Sequence, residues 1–178
     1  MASPFLFFPG DPLTESELRA ACLDGLLVPL GAGFMHADAA ETAWMRAASL
    51  RPLLGDALAA TRLTAAWIHG ALDVEPARHE VQRAVPRRST DAQRLSVAYR
   101  DMQIDDGDLE TIAGVRVTSV ARTLADLARS ENPVHLEAAS RWRDGDRAAV
   151  IRAREWLAGA RRFPGKRRAA ALLGAASS

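Results

Sequence analysis

The sequence predicts a mixed α/β chain of the α+β type: a small helix-and-hairpin unit over residues 1–52, then an α/β domain over 53–178 with a small mixed sheet and flanking helices. Three observations predict it. A helix-capping signal followed by two short apolar runs around glycines opens the chain. Period-two runs then alternate with amphipathic helical stretches. Finally, the charge changes sign between the two parts: residues 1–75 carry four basic and nine acidic side chains, and residues 76–178 carry nineteen and thirteen.

Thr14-Glu15-Ser16-Glu17 reads as a capping box, in which the Thr hydroxyl and the Glu carboxylate three residues on satisfy two orphan amides. Leu18, Ala21 and Cys22 follow at helical spacing and Gly25 supplies the stop, which gives a helix over 14–24. Leu26 to Leu30, Gly31-Ala32-Gly33 and Phe34-Met35-His36 read as two strands around a turn, with Pro29 marking an edge strand. Helix plus hairpin is the outline of a degenerate winged helix. Residues 39–51 suit a helix with Trp44, Ala47 and Ala48 on its packed face, ended by Pro52.

In the second unit, the uncharged stretch Leu63 to His69 predicts a short buried helix with Gly70 just past its end. His79 to Val85 and Leu95 to Arg100 alternate with period two and predict strands. Asp105-Asp106-Gly107-Asp108 reads as a solvated acidic turn, followed by strands over 109–112 and 115–117 around Gly114. Thr118 or Ser119 caps the main core helix, which carries Val120, Leu124, Leu127 and Ala128 and stops before Asn132-Pro133. Residues 134–142, 146–160 and 166–173 complete the helices.

At 178 residues and 48% hydrophobic, the chain can bury a substantial core. No apolar run approaches the roughly 20 residues of a membrane span. The opening segment lacks the basic start of a secretory signal, so a cytoplasmic protein is the default. The single cysteine, Cys22, forms no intramolecular disulfide and is expected to be buried.

Enzyme signatures are missing: no dinucleotide or phosphate-binding glycine loop, no zinc-protease helix, no nucleophile elbow and no paired CxxC. His36, His69, His79 and His135 fall in different elements at no ligand-like spacing, and no metal or cofactor is expected. Arg122 and Asp126 are four apart on a helix and predict a structural pair on one face. One carboxylate without a second acid or base makes poor general acid/base machinery.

The basic side chains are the informative ones. Of 23 cations only Lys166 is lysine, a bias that high-GC coding also produces. Arg83, Arg87, Arg88, Arg94 and Arg100 lie on two predicted strands and their connection, where some share a face. From Arg141 onward the chain carries ten cations against three acids, with Trp142 and Trp156 among them as core anchors or stacking platforms.

Through TAAWIHGAL (64–72), GVRVTSVARTLADLAR (114–129) and the FPGKRRAAALL tail, the chain resembles the AbiEi-type antitoxin family of actinobacteria, transcriptional regulators of type IV toxin–antitoxin systems. The motifs describe scaffold and the resemblance runs through most of the chain. It implies an N-terminal winged helix that binds the operator of its own operon, and a noncatalytic α/β C-terminal domain that counters a nucleotidyltransferase-like toxin without obligatory contact. Longer relatives append a nuclease-like domain, which nothing after Leu173 is expected to encode.

The wing from Val28 to Met35 has no cation and only Arg19 decorates the preceding helix, so the expected double-stranded DNA contacts concentrate in the C-terminal unit. The candidates are Arg19, Arg83, Arg87, Arg88, Arg161, Arg162, Lys166, Arg167 and Arg168. A homodimer fits this reading. The alternative is a protein-interaction module whose basic surface binds an acidic partner after DNA binding has been lost; a nucleic-acid-modifying enzyme is the third and weakest reading.

Overall fold

A computed structural model describes residues 5–10, 12–86, 97–160 and 163–174. The architecture among these residues is the mixed α/β arrangement that the sequence predicts, with one three-stranded and one five-stranded sheet and eight α-helices.

The chain begins with β1 (Leu6–Phe7) and α1 (Glu15–Leu23). The Thr14 hydroxyl accepts from the Glu17 amide while the Glu17 carboxylate accepts from the Thr14 amide, so the capping box forms on both sides. Leu18 is fully buried, whereas Cys22 is only half-buried because the last turn of this short helix lies open. The hairpin of β2 (Leu27–Leu30) and β3 (Gly33–His36) follows, and β1 pairs with β3 to give the antiparallel order β1-β3-β2, which leaves Pro29 on the edge.

The hairpin turn is pinned. Gly31 has φ +56°, its amide donates to Glu75 Oε2 at 3.0 Å, and a Cβ there would lie 2.2 Å from Ser49 Oγ. The Ala32 amide also donates to the Ser49 carbonyl.

The expected single helix over 39–51 is two. α2 (Ala43–Ser49) closes at Leu50, and Pro52 sits in the first turn of α3 (Arg51–Leu54). Proline lacks only an amide that the first turn leaves unpaired anyway, so here it starts a helix instead of ending one. Trp44 is half exposed, so it does not share the packed face of Ala47. Arg46 takes the inward position: it donates to the Trp67 and Leu72 carbonyls, pairs with Glu41 and lies over the Trp67 ring.

The larger sheet runs in the order β6-β5-β4-β8-β7. β4 (Leu58–Ala60) is followed by α4 (Arg62–Ile68), with His69 as C-cap and Gly70 at φ +82°. β5 (Glu80–Arg83) runs antiparallel to β4, and β4 runs parallel to β8 (Val115–Thr118). β6 (Ala98–Gln103) lies farther along than expected, parallel to β5; Leu95 and Ser96 fall outside the described residues. β7 (Leu109–Ile112) and β8 form a hairpin whose turn holds Ala113 at φ +51° and Gly114 at φ +78°, the pair of positive φ values that a type I′ turn requires.

α5 (Val120–Ala128), capped by Ser119, packs against α4, α6 (Pro133–Gly145), α7 (Arg147–Gly159) and α8 (Lys166–Gly174). One apolar core joins Leu6, Leu30 and Met35 of the first sheet to Leu58, Trp67, Val81 and Val117, so it runs through both parts of the chain. A second, of Leu124, Leu127, Trp142, Leu157 and Leu173, binds the helices.

Two substitutions test these turns. Ala113→Asn, which tolerates the left-handed region, is expected to stabilise by about 0.5–1 kcal/mol in urea denaturation. Gly31→Ala, strained in φ and in collision with Ser49, is expected to destabilise by at least about 2 kcal/mol in the same measurement.

Candidate nucleic-acid interface

The sequence expectation that most shapes this region is the pair on α5. Positions 122 and 126 lie one turn apart, and Arg122 Nε donates to Asp126 Oδ2 at 2.7 Å. One turn on, Arg129 Nε donates to the other oxygen, Oδ1, also at 2.7 Å. Asp126 is 1% exposed, so a buried carboxylate is shared between two guanidinium groups of its own helix.

Asp108 closes the other side. It does not sit in a solvated turn: the segment forms a short 3-10 turn over Asp106–Asp108 that carries the carboxylate inward. There Oδ2 accepts from Arg122 Nη1 at 2.5 Å and Oδ1 accepts from Trp156 Nε1 at 2.6 Å. The Arg122 guanidinium lies 5.2 Å from the Trp156 ring and 5.5 Å from Phe163, and Arg129 lies 4.4 Å from Phe163. Burial works against the charge on Arg122, but Asp126 and Asp108 outweigh it and hold its pKa above the ordinary guanidinium value.

This network fixes the Phe163-Pro164-Gly165 link, and with it the start of α8, against α5. Arg129 Nη1 also donates to the Pro164 carbonyl, and a Cβ on Gly165 would lie 3.0 Å from Arg129 Cβ. Lys166, Arg167 and Arg168 are therefore presented beside Arg129. Lys166 Nζ donates to the Ala160 carbonyl, Arg168 pairs with Glu131, and Arg167 is exposed.

The other sequence candidates are placed differently. Arg83 is held inward against Asp101 and the Pro86 carbonyl. Arg19 is exposed at the other end of the chain and pairs with Glu15 one turn back. Arg87, Arg88, Arg94, Arg161 and Arg162 lie outside the described residues.

Sequence reasoning missed Arg62, which faces the same region as Arg129 and Lys166 to Arg168. Nothing in an R-L-T-A run announces its φ of +48°. Beneath it, Glu80 Oε1 lies 3.1 Å from His135 Nε2, and Oε2 accepts from the Leu63 amide. Burial pushes the Glu80 carboxyl up, but the bond to and attraction of His135, the Leu63 amide and Arg62 outweigh it and hold it below its ordinary value. Glu75 behaves likewise: burial is outweighed by His79 and the Gly31 amide. Among the described residues no cluster of acidic, His or Cys side chains could hold a metal ion, and no helix is long and apolar enough to cross a membrane.

The family model described as AbiEi antitoxin C-terminal domain matches residues 58–161. No curated protein matches the chain. Among solved structures, the crystal structure of RV2827C protein from Mycobacterium tuberculosis is similar over 96% of this chain and 72% of that one, at 18% identity and a TM-score of 0.47.

Two outcomes check the electrostatics. Asp126→Asn leaves two guanidinium groups sharing a neutral partner and is expected to cost about 3 kcal/mol in urea denaturation. A carboxyl whose pKa is lower folded than unfolded stabilises most where it is ionised in both states, so the Glu80 and Glu75 contributions are complete above their ordinary value of 4.5 and are lost as pH falls below it. Glu80→Gln is accordingly expected to flatten the acid limb of the stability–pH curve.

Proposed function

Because the chain belongs to the AbiEi antitoxin C-terminal domain family, we propose that it is a noncatalytic, cytoplasmic transcriptional autoregulator of a toxin–antitoxin operon that binds double-stranded DNA through its C-terminal unit. The observation that carries this reading is the cationic surface at α7 and α8. Arg167 and Arg168 are exposed at the start of α8, beside an ion-pair network that is already neutralised internally, while Arg152 and Arg154 are exposed on different faces of α7. Unpaired or rim-paired guanidinium groups on a fixed helix surface suit a row of phosphates. Arg161 and Arg162 join this set by sequence.

The N-terminal 1–52 unit is read as a degenerate winged helix, a helix with a three-stranded β1-β3-β2 sheet. Its α1 presents Glu15, Glu17 and Asp24 beside one Arg19 that is already paired, and its hairpin turn is tied down by Glu75 and Ser49. An acidic helix and a tethered, cation-free wing oppose insertion into a phosphate-lined groove. Leu23, Leu26 and Val28 are exposed on the same unit, which favours a role in contact with a second copy. Those apolar side chains also favour the alternative, a module that binds a protein partner and has lost DNA. The cognate toxin is expected to be of nucleotidyltransferase type and to need no direct contact.

A mobility-shift titration against the chain's own upstream DNA and a scrambled duplex, at two salt concentrations, tests the reading. Selective binding that weakens steeply with salt is expected, and charge reversal at Arg167 and Arg168 should weaken it by at least about tenfold, whereas Arg19→Ala should change it less. Equal binding to both duplexes, with retention of a protein partner, would move the assignment to the alternative.

A further inference from the structure

Two adjoining cavities open between β6, the end of α5 and the start of α8. The first, of about 890 Å³, is lined by six cations, Arg62, Arg100, Arg129, Lys166, Arg167 and Arg168, against two carboxylates, Asp126 and Glu131. The second, of about 810 Å³, shares Arg100, Arg129, Phe163 and Pro164 with it and continues past Met102 and Trp156 to Asp105 and Glu155. Each falls within the roughly 300–1,000 Å³ of small-molecule sites, and both open broadly to solvent.

Arg62 is the feature that the fold alone does not explain. It is a non-glycine residue in the left-handed region, at φ +48°, at the start of α4. Its Nε is buried with no hydrogen-bond partner, and its carboxylate contact, Glu80, is 3.6 Å from Nη1 and already engaged by His135 and the Leu63 amide. A strained backbone that holds an under-satisfied guanidinium at a cavity wall is the pattern of a group kept for a ligand. Arg100 and Arg167 make no ion pair among the described residues, and α8, nine residues long, directs its N-terminus into the same cavity.

The two lobes differ in chemistry. The first suits a chain of phosphates, whereas the second offers the Trp156 and Met102 side chains for a flat ring and the carboxylates of Asp105 and Glu155 as acceptors for amino groups. We propose that the paired cavities bind a free nucleoside triphosphate, with its phosphates on Arg62, Arg100, Arg167 and the start of α8 and its base against Met102 and Trp156. This goes beyond the operator reading and does not rest on it.

Calorimetric titration of the full chain without DNA tests it, using ATP, GTP, CTP, UTP, sodium pyrophosphate and a 5′-triphosphorylated single-stranded hexanucleotide. Saturable one-to-one binding of at least one nucleoside triphosphate is expected, with pyrophosphate competing. Arg100→Gln and Arg62→Gly should each weaken it by at least about tenfold, while Arg141→Gln on α6, outside both cavities, should leave it unchanged. Glycine relieves the backbone at position 62, so Arg62→Gly should melt no lower than the parent chain, which separates a binding role from a structural one. The proposal is overturned by absent binding in the folded protein, by equal loss in Arg141→Gln, or by binding of the hexanucleotide alone.

Discussion

The buried Asp126 carboxylate is the constraint on which the rest of the C-terminal unit depends. A buried carboxylate without cations would carry a large desolvation cost, and Arg122 and Arg129 remove it only if α5 is continuous from position 122 to 129. Arg122 then has further donors to satisfy, and Asp108 meets them because the 3-10 turn before β7 folds inward. Trp156 Nε1 donates to the other oxygen of Asp108, which draws α7 into the same network. One charge thus fixes the relation of α5, α7 and the sheet, and through Phe163 the start of α8.

That arrangement decides which cations are spent and which are free. Arg122 and Arg129 are consumed internally, whereas Arg100, Arg152, Arg154 and Arg167 stay exposed and make no ion pair among the described residues. The first half of the chain moves the opposite way. Its Arg46 is buried as a tie between α2 and α4, Arg19 is matched by Glu15, and its hairpin turn lies against Ser49 and Glu75. The sign change along the sequence thus reaches the folded chain as an N-terminal unit whose Arg19 and Arg46 are both paired and C-terminal helices that keep exposed arginines.

Short-range signals were legible and long-range ones were not. The capping box at Thr14, the stop at Gly70, the turn at Gly114 and the Asn132-Pro133 break all act within about one helical turn, and each forms where the residues put it. The spacing of Arg122 and Asp126 is of the same kind. Local sequence makes Asp108 look solvated because its partners lie 14 and 48 residues away. Pro52 reads equally as the end of one helix or the start of the next, and only the packing of α3 decides between them. Arg62 carries no local mark at all: its φ of +48° falls where β4 passes into α4, and its carboxylate neighbour, Glu80, is on another strand.

Amide hydrogen exchange on the full chain, with and without its own upstream DNA, tests the account most directly. Added protection is expected over α7, the link at 163–165 and the first turn of α8, with the β2–β3 hairpin and α1 unchanged. Protection confined to the hairpin and α1, with the C-terminal helices unaffected, would contradict it and return DNA recognition to the wing.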